Sequence, residues 1–229
     1  MSDLSEMIYV ASTWVLPVLL AITLHEAAHG FAAARLGDAP AQRAGRLSIN
    51  PLRHVDPLGT VAIPLMLLLF KAPFLLGWAK PVPVDFGRLY HPKRDMVLVA
   101  AAGPLANITM ALGAAILVHL AFYISGTAGI WLLENLRNAM VINLVLAVFN
   151  LIPLPPLDGG RIAVGLLPRP LALRFARLEK WGLFIVVGML FILPLIGSRL
   201  GVEINIFAWL VGVPVNFLYD LLLHIAGVV

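Results

Sequence analysis

The stretch Leu24–Gly30, LHEAAHG, places three ionisable side chains within five residues: His25, Glu26 and His29. On a helix, His25 and His29 are four residues apart, so both imidazoles leave one face and can grip a single ion. Glu26, next to the first histidine, can reach a water beside that ion and take its proton. The pattern points to metal-assisted hydrolysis with a carboxylate base. There is no cysteine, so a metal must be held by nitrogen and oxygen. Two histidines do not complete such a centre, because catalytic zinc ordinarily has three protein ligands and an open position.

The elements that carry these residues are apolar. The preceding run, MIYVASTWVLPVLLAIT, has the composition of a helix lying in lipid. There, charged side chains cost about 2.5–3.5 kcal/mol each and usually mark function. The whole chain follows suit. Its 229 residues are 61% hydrophobic and 12% charged, with a mean hydropathy of +0.95; a soluble domain is about 45–50% apolar and roughly 25% charged. This is the composition of an all-α polytopic membrane protein in contact with a lipid bilayer. No internal repeat or polar linker divides it, so residues 1–229 read as one domain. The start, MSDLSEM, lacks the basic region of a cleaved signal peptide, so the first apolar run reads as a retained helix. The net charge of +4 lies in short loops without interleaved aromatics, which favours membrane topology over nucleic acid as its explanation.

Residues 7–34, 96–123, 132–151, 179–196 and 203–226 are each long and apolar enough to span. A sixth apolar segment, 58–78, is interrupted by Pro64, Lys71, Pro73 and Gly77. Basic residues cluster after the first helix, before 96–123 and after 132–151, and these clusters hold 13 of the 16 Lys and Arg. Cytoplasmic loops carry such an excess. All three clusters share that face only if 58–78 enters and leaves on the same side, so it is expected to be a re-entrant hairpin. Its flanks, AGRLSINPLRHVDP and GWAKPVPVDFGRL, carry prolines that exclude helix and suit short β-like edge segments.

The same topology sorts the candidates for a third ligand. His119, Glu134 and Glu203 fall towards the outer face, and Asp220 sits in the last helix without polar company; each reads as an interfacial or packing residue. Asp158 differs. It lies in FNLIPLPPLDGGRI, where Pro153, Pro155 and Pro156 break the helix, and it reaches the same side as His25 and His29.

HEAAH in the first helix, together with NLIPLPPLDGG, resembles the site-2 protease family of intramembrane zinc metalloproteases, whose motifs are H-E-x-x-H and N-x-x-P-x-x-x-L-D-G. The stretches AGRLSINPLRHVDP, GWAKPVPV and AAGPLAN resemble its compact prokaryotic members, so the similarity covers roughly residues 15–165. The resemblance implies one zinc ion held by His25, His29 and Asp158, with Glu26 as general base. It implies a catalytic core over about 7–165, two accessory helices over about 179–226, and a transmembrane protein as substrate. It further implies a place in a prokaryotic inner membrane, with the site towards the cytoplasm. The family pattern also draws in Asn107, four residues after Gly103, and Asn150. Asn107 either makes an interhelical hydrogen bond or supports the scissile carbonyl or the active site; Asn150 either bridges the broken helix or handles substrate.

The chain departs from the family at Asp85, where Asn often follows KPVPV, and its length leads to the expectation that the PDZ or CBS domains of larger members are absent. A substrate helix hides its peptide bonds, and extended backbone over 46–56 or 79–85 is expected to unwind it by strand addition. Two other readings stay open. One is a membrane metallopeptidase acting on soluble peptides, which would need a Glu third ligand. The other is a non-catalytic metal-binding membrane protein, such as a transporter, a chaperone or an inactive protease relative, which would not need Glu26.

Overall fold

Helix α1 runs Asp3–Arg35 without a break although Pro17 lies inside it. Proline lacks the N–H that would bond the carbonyl four residues back, here Thr13. Asn138, on a neighbouring helix, donates its Nδ2 to that carbonyl at 3.2 Å. In a membrane span, where no water can do so, a side chain thus re-satisfies the freed acceptor.

The computed structural model describes residues 3–38, 48, 50, 56–62, 66, 83–202 and 205–229. After α1 come α2 (Pro92–Ala121), α3 (Gly126–Asn150), the short α4 (Asp158–Leu166) and α5 (Arg169–Ala176), then α6 (Glu179–Arg199) and α7 (Ala208–Ala226). Five of them, α1, α2, α3, α6 and α7, are long and apolar enough to cross a membrane. They correspond to the five long apolar runs, with α3 starting at Gly126, earlier than the expected 132. No strand occurs among the described residues. The expected hairpin over 58–78 and its β-like flanks lie outside the described residues, except for a π-helical turn at Pro57–Ala62, isolated positions, and residues 83–89, where backbone extended at Asp85 gives way to a 3-10 turn at Phe86–Arg88 in place of a β-like segment.

Helix α2 is the hub, packing against α1, α3, α4 and α7. Lipid tails are as apolar as leucine, so helix association here relies on close packing and hydrogen bonds. Ala111, Ala114, Ala115 and Val118 recur at helical spacing on α2 and are buried against Met140 and Leu144 of α3 and Val211, Val215 and Leu222 of α7. Small residues let these backbones approach. Helix α6 is peripheral: 11% of its apolar window is buried inside the protein, against 39% for α2.

The C-terminal end of α1 is closed by Gly37 at φ 105, with the Asp38 N–H bonding the Ala33 carbonyl at 2.9 Å. This is a glycine-dependent left-handed cap. The segment before α2 is stitched to that cap. Tyr90 N–H donates to the Leu36 carbonyl at 2.9 Å, and Asp85 N–H to Asp38 Oδ2 at 2.8 Å. Asp85 itself caps a 3-10 turn at Phe86–Arg88 through the Gly87 N–H, and its Oδ2 accepts from Arg88 Nε at 3.0 Å. That capping gives Asp85 a local structural role.

Candidate metal centre

His25 and His29 project from one face of α1, with ring centroids 4.7 Å apart and planes nearly perpendicular. Each is anchored from behind by α2. His25 Nδ1 lies 2.5 Å from Asn107 Oδ1, and His29 Nδ1 lies 2.7 Å from the Val99 carbonyl. Both partners are oxygens that can only accept, so each Nδ1 carries a proton, and in the neutral imidazole each Nε2 then presents a lone pair. The two Nε2 atoms face each other at 3.1 Å.

Helix α4 brings the third group. Residues 151–157 form a tight loop that leads into Asp158, the first residue of α4. A Cβ on Gly159 would strike the Leu151 carbonyl oxygen, and one on Gly160 would strike the Pro155 nitrogen. Only glycine lets the loop fold back closely enough to aim Asp158 inward. Its Oδ2 lies 3.2 Å from both His25 Nε2 and His29 Nε2. All three residues are buried, at 7%, 9% and 6% exposure.

With both imidazoles neutral, three lone-pair atoms therefore converge on one point, and Asp158 Oδ2 is buried with no other hydrogen-bond partner. Such a cluster is repulsive unless a cation sits among its lone pairs. Tetrahedral ligands about 2.0–2.2 Å from zinc stand about 3.3–3.6 Å from one another, close to the separations seen. Imidazoles whose other nitrogen donates to an oxygen are the usual zinc ligands. The donor set fits zinc, and it is the only group of three or more His, Asp or Glu able to hold a metal among the described residues.

The triad opens on a cavity of about 240 Å³ that is also lined by Glu26, Asn150 and Arg161, with Val84, Phe86 and Ala100 among its apolar walls. Glu26 and Asn150 thus share the cavity with the triad. Asn150 Nδ2 donates to the Leu146 carbonyl at 3.0 Å. Asn107 does not line the cavity; it is fully buried behind His25, with its Nδ2 donating to the Ala21 carbonyl at 3.1 Å. His119 is elsewhere, bonded to the Ala226 carbonyl at 2.8 Å.

Several contributors carry no sequence signal of their own. Val99 acts through its backbone, and Arg161 is singled out only by its guanidinium lying 5.1 Å from the Phe86 ring centroid. Gly103 is more telling. A Cβ there would meet His29 Nε2 and come within 2.6 Å of His25 Cε1, so the glycine of AAGPLAN lets α2 lie directly on the histidines.

Residues 118–193, which contain Asp158, match the model of peptidase family M50. Over 190 residues, covering 79% of this chain and 80% of the relative, the sequence is 37% identical to the "Putative zinc metalloprotease YwhC" of Bacillus subtilis (strain 168). The chain belongs to peptidase family M50. That is the site-2 protease family to which the motifs pointed. This M50 chain is also 30% identical, over 75% of its length and 64% of the relative, to the "Putative zinc metalloprotease Rip2" of Mycolicibacterium smegmatis. The protein of the same name from Mycobacterium tuberculosis (strain ATCC 25618 / H37Rv) is 31% identical over 62% of the chain and 52% of the relative. No solved structure matches the chain. Zinc is thus the metal in these relatives' names, and the M50 chain holds a buried triad that can bind it.

Proposed function

We propose that this M50 protein is a zinc-dependent intramembrane endopeptidase that cleaves a transmembrane segment of another membrane protein. The observation that carries the proposal is the convergence of three potential ligand atoms, His25 Nε2, His29 Nε2 and Asp158 Oδ2, on a cavity that Glu26 also lines. His25, His29 and Asp158 hold the metal. Bound zinc supplies Lewis-acid polarisation of a carbonyl and makes water a nucleophile near neutral pH. Glu26 accepts the proton of the attacking water and returns it to the leaving amine. Asn107 orients His25, and Asn150 faces the substrate from the cavity wall.

The bond to be cut must first leave its helix. Val84 and Phe86 both line the cavity while Asp85 between them has extended backbone, at φ −102 and ψ 93. Extended backbone at Asp85, next to a cavity-lining Val84, supports strand addition by the 79–85 stretch as the means of holding an unwound substrate. The protein works as one domain, with a core over about 7–165, accessory helices over about 179–226, and its site towards the cytoplasmic side of a prokaryotic inner membrane.

The decisive experiment compares zinc content and turnover of a reconstituted single-span substrate. Glu26→Gln keeps the shape of the side chain but cannot accept a proton; it should retain zinc and lose at least about 10²–10⁴-fold in cleavage. His25→Ala should lose zinc and cleavage together. Cleavage by Glu26→Gln within tenfold of the parent would remove Glu26 as the base. A parent that binds zinc and cuts no membrane substrate would favour the non-catalytic reading.

A further inference from the structure

We propose that Asn143 is a positioning residue for the metal centre: acting through Asn107, it fixes the tautomer in which His25 presents a bare Nε2. The inference rests on the triad being a metal site and names a residue that no motif includes. Asn143 lies on α3 and is 2% exposed. Its Nδ2 donates to the Ala139 carbonyl one turn back, at 2.8 Å. A backbone carbonyl can only accept, so this bond sets which end of the amide is which and leaves Oδ1 facing α2. There Oδ1 accepts from Asn107 Nδ2 at 2.7 Å.

Asn107 is then constrained twice. Both of its outward partners, Asn143 Oδ1 and the Ala21 carbonyl, are acceptors, so its NH2 must face them and its Oδ1 must face His25 Nδ1. That oxygen requires a proton on Nδ1, and a neutral imidazole protonated at Nδ1 has its lone pair on Nε2. The chain of bonds runs from the Ala139 carbonyl through Asn143 and Asn107 to His25, and every link has one permitted direction. Without the Asn143 oxygen, one of the two groups holding the Asn107 amide disappears. The amide can then turn its NH2 towards His25 Nδ1, which moves the imidazole proton to Nε2, where it blocks the metal. Asn143 sits seven residues before Asn150, on the same face of α3, so one helix face serves both the back of the site and the cavity.

The test uses the full chain in detergent with two readouts: zinc affinity by competition with a chromophoric chelator, and the His25 tautomer by NMR of metal-free protein carrying ¹⁵N-histidine. Asn143→Leu removes the acceptor; Asn143→Asp keeps an oxygen opposite Asn107. Outer-shell partners of metal-binding histidines are worth about 10–100-fold in affinity. Asn143→Leu should therefore lower zinc affinity about tenfold and populate the Nε2–H tautomer. Asn143→Asp should stay within threefold of the parent with Nδ1 protonated. If Asn143→Leu does not fold, Asn143→Ala carries the same expectation. Zinc affinity within threefold and an unchanged tautomer in the apolar variant would overturn the proposal. Equal losses in the apolar and Asp variants would also overturn it, by showing that packing rather than the acceptor matters. A parent that takes up no zinc overturns it along with the metal site. Neither readout needs a substrate, so the proposal stands or falls independently of proteolysis.

Discussion

The substitution Gly103→Ala should damage the metal centre without touching a ligand. The added Cβ would stand 2.6 Å from His25 Cε1 and from His29 Cε1, and closer still to His29 Nε2. Carbon atoms in good contact are about 3.5–4.0 Å apart, so the shortfall is about 1 Å. Either the two rings or helix α2 must yield that distance, whereas zinc–ligand distances tolerate only about 0.2 Å. Overpacking of this kind costs about 1–3 kcal/mol. The strain is greatest in the conformation that presents both Nε2 atoms, so most of it should appear as lost affinity, about 5- to 150-fold at 1.4 kcal/mol per tenfold. Gly113→Ala is the matched control, on the same helix with nothing within 4 Å of its Cβ. It should leave zinc binding unchanged and stabilise the helix by up to about 1 kcal/mol. Competition titration and thermal unfolding in detergent read both effects. Gly103→Ala binding zinc within threefold of the parent would refute the reasoning, as would an equal loss in Gly113→Ala.

A metal joining α1 to α4 should also support the fold. Zinc at 100 times its dissociation constant adds about 2.7 kcal/mol, so chelation should lower the Tm of the parent and leave that of Asp158→Ala unmoved. Gly182→Ala should reduce zinc content, because its Cβ would collide with the Pro155 carbonyl in the loop that aims Asp158; Gly188→Ala, with open space around it, should not. Asn138→Ala should destabilise by about 0.6 kcal/mol, the usual worth of a hydrogen bond in a membrane, measured by unfolding in detergent. In a Pro17→Ala background that loss should shrink, because the Thr13 carbonyl regains its own helical donor.

What the sequence made legible is what depends on local spacing. Five long apolar runs needed only length to be read as spans, and His25 with His29 needed only the helical period. Asp158 lies 129 residues beyond His29, and it was placed by charge topology and by the resemblance of its loop to a family motif. The back of the site was not legible in the same way. Val99 contributes a carbonyl, which every residue has, and Asn143 looks like any interhelical asparagine until its direction of hydrogen bonding is known. The sequence leaves Asn107 a choice of roles, and its burial behind His25 favours orientation over contact with substrate.

The partners of these buried polar atoms explain how such a site can exist among apolar helices. Burying two imidazoles and a carboxylate is tolerable only if every polar atom finds a partner. The protein divides that requirement between two sets of groups. The Nδ1 atoms are satisfied permanently, by Asn107 and by the Val99 carbonyl of α2, which holds both rings in one orientation whether or not a metal is bound. In the neutral imidazoles the Nε2 atoms, with Asp158 Oδ2, are left as acceptors only, a deficit that a divalent cation meets. Glycines at 103, 159 and 160 make this possible by removing side chains where α2 and the Asp158 loop close on the histidines. The specificity of the centre therefore resides as much in the backbone that approaches it as in the three side chains that form it.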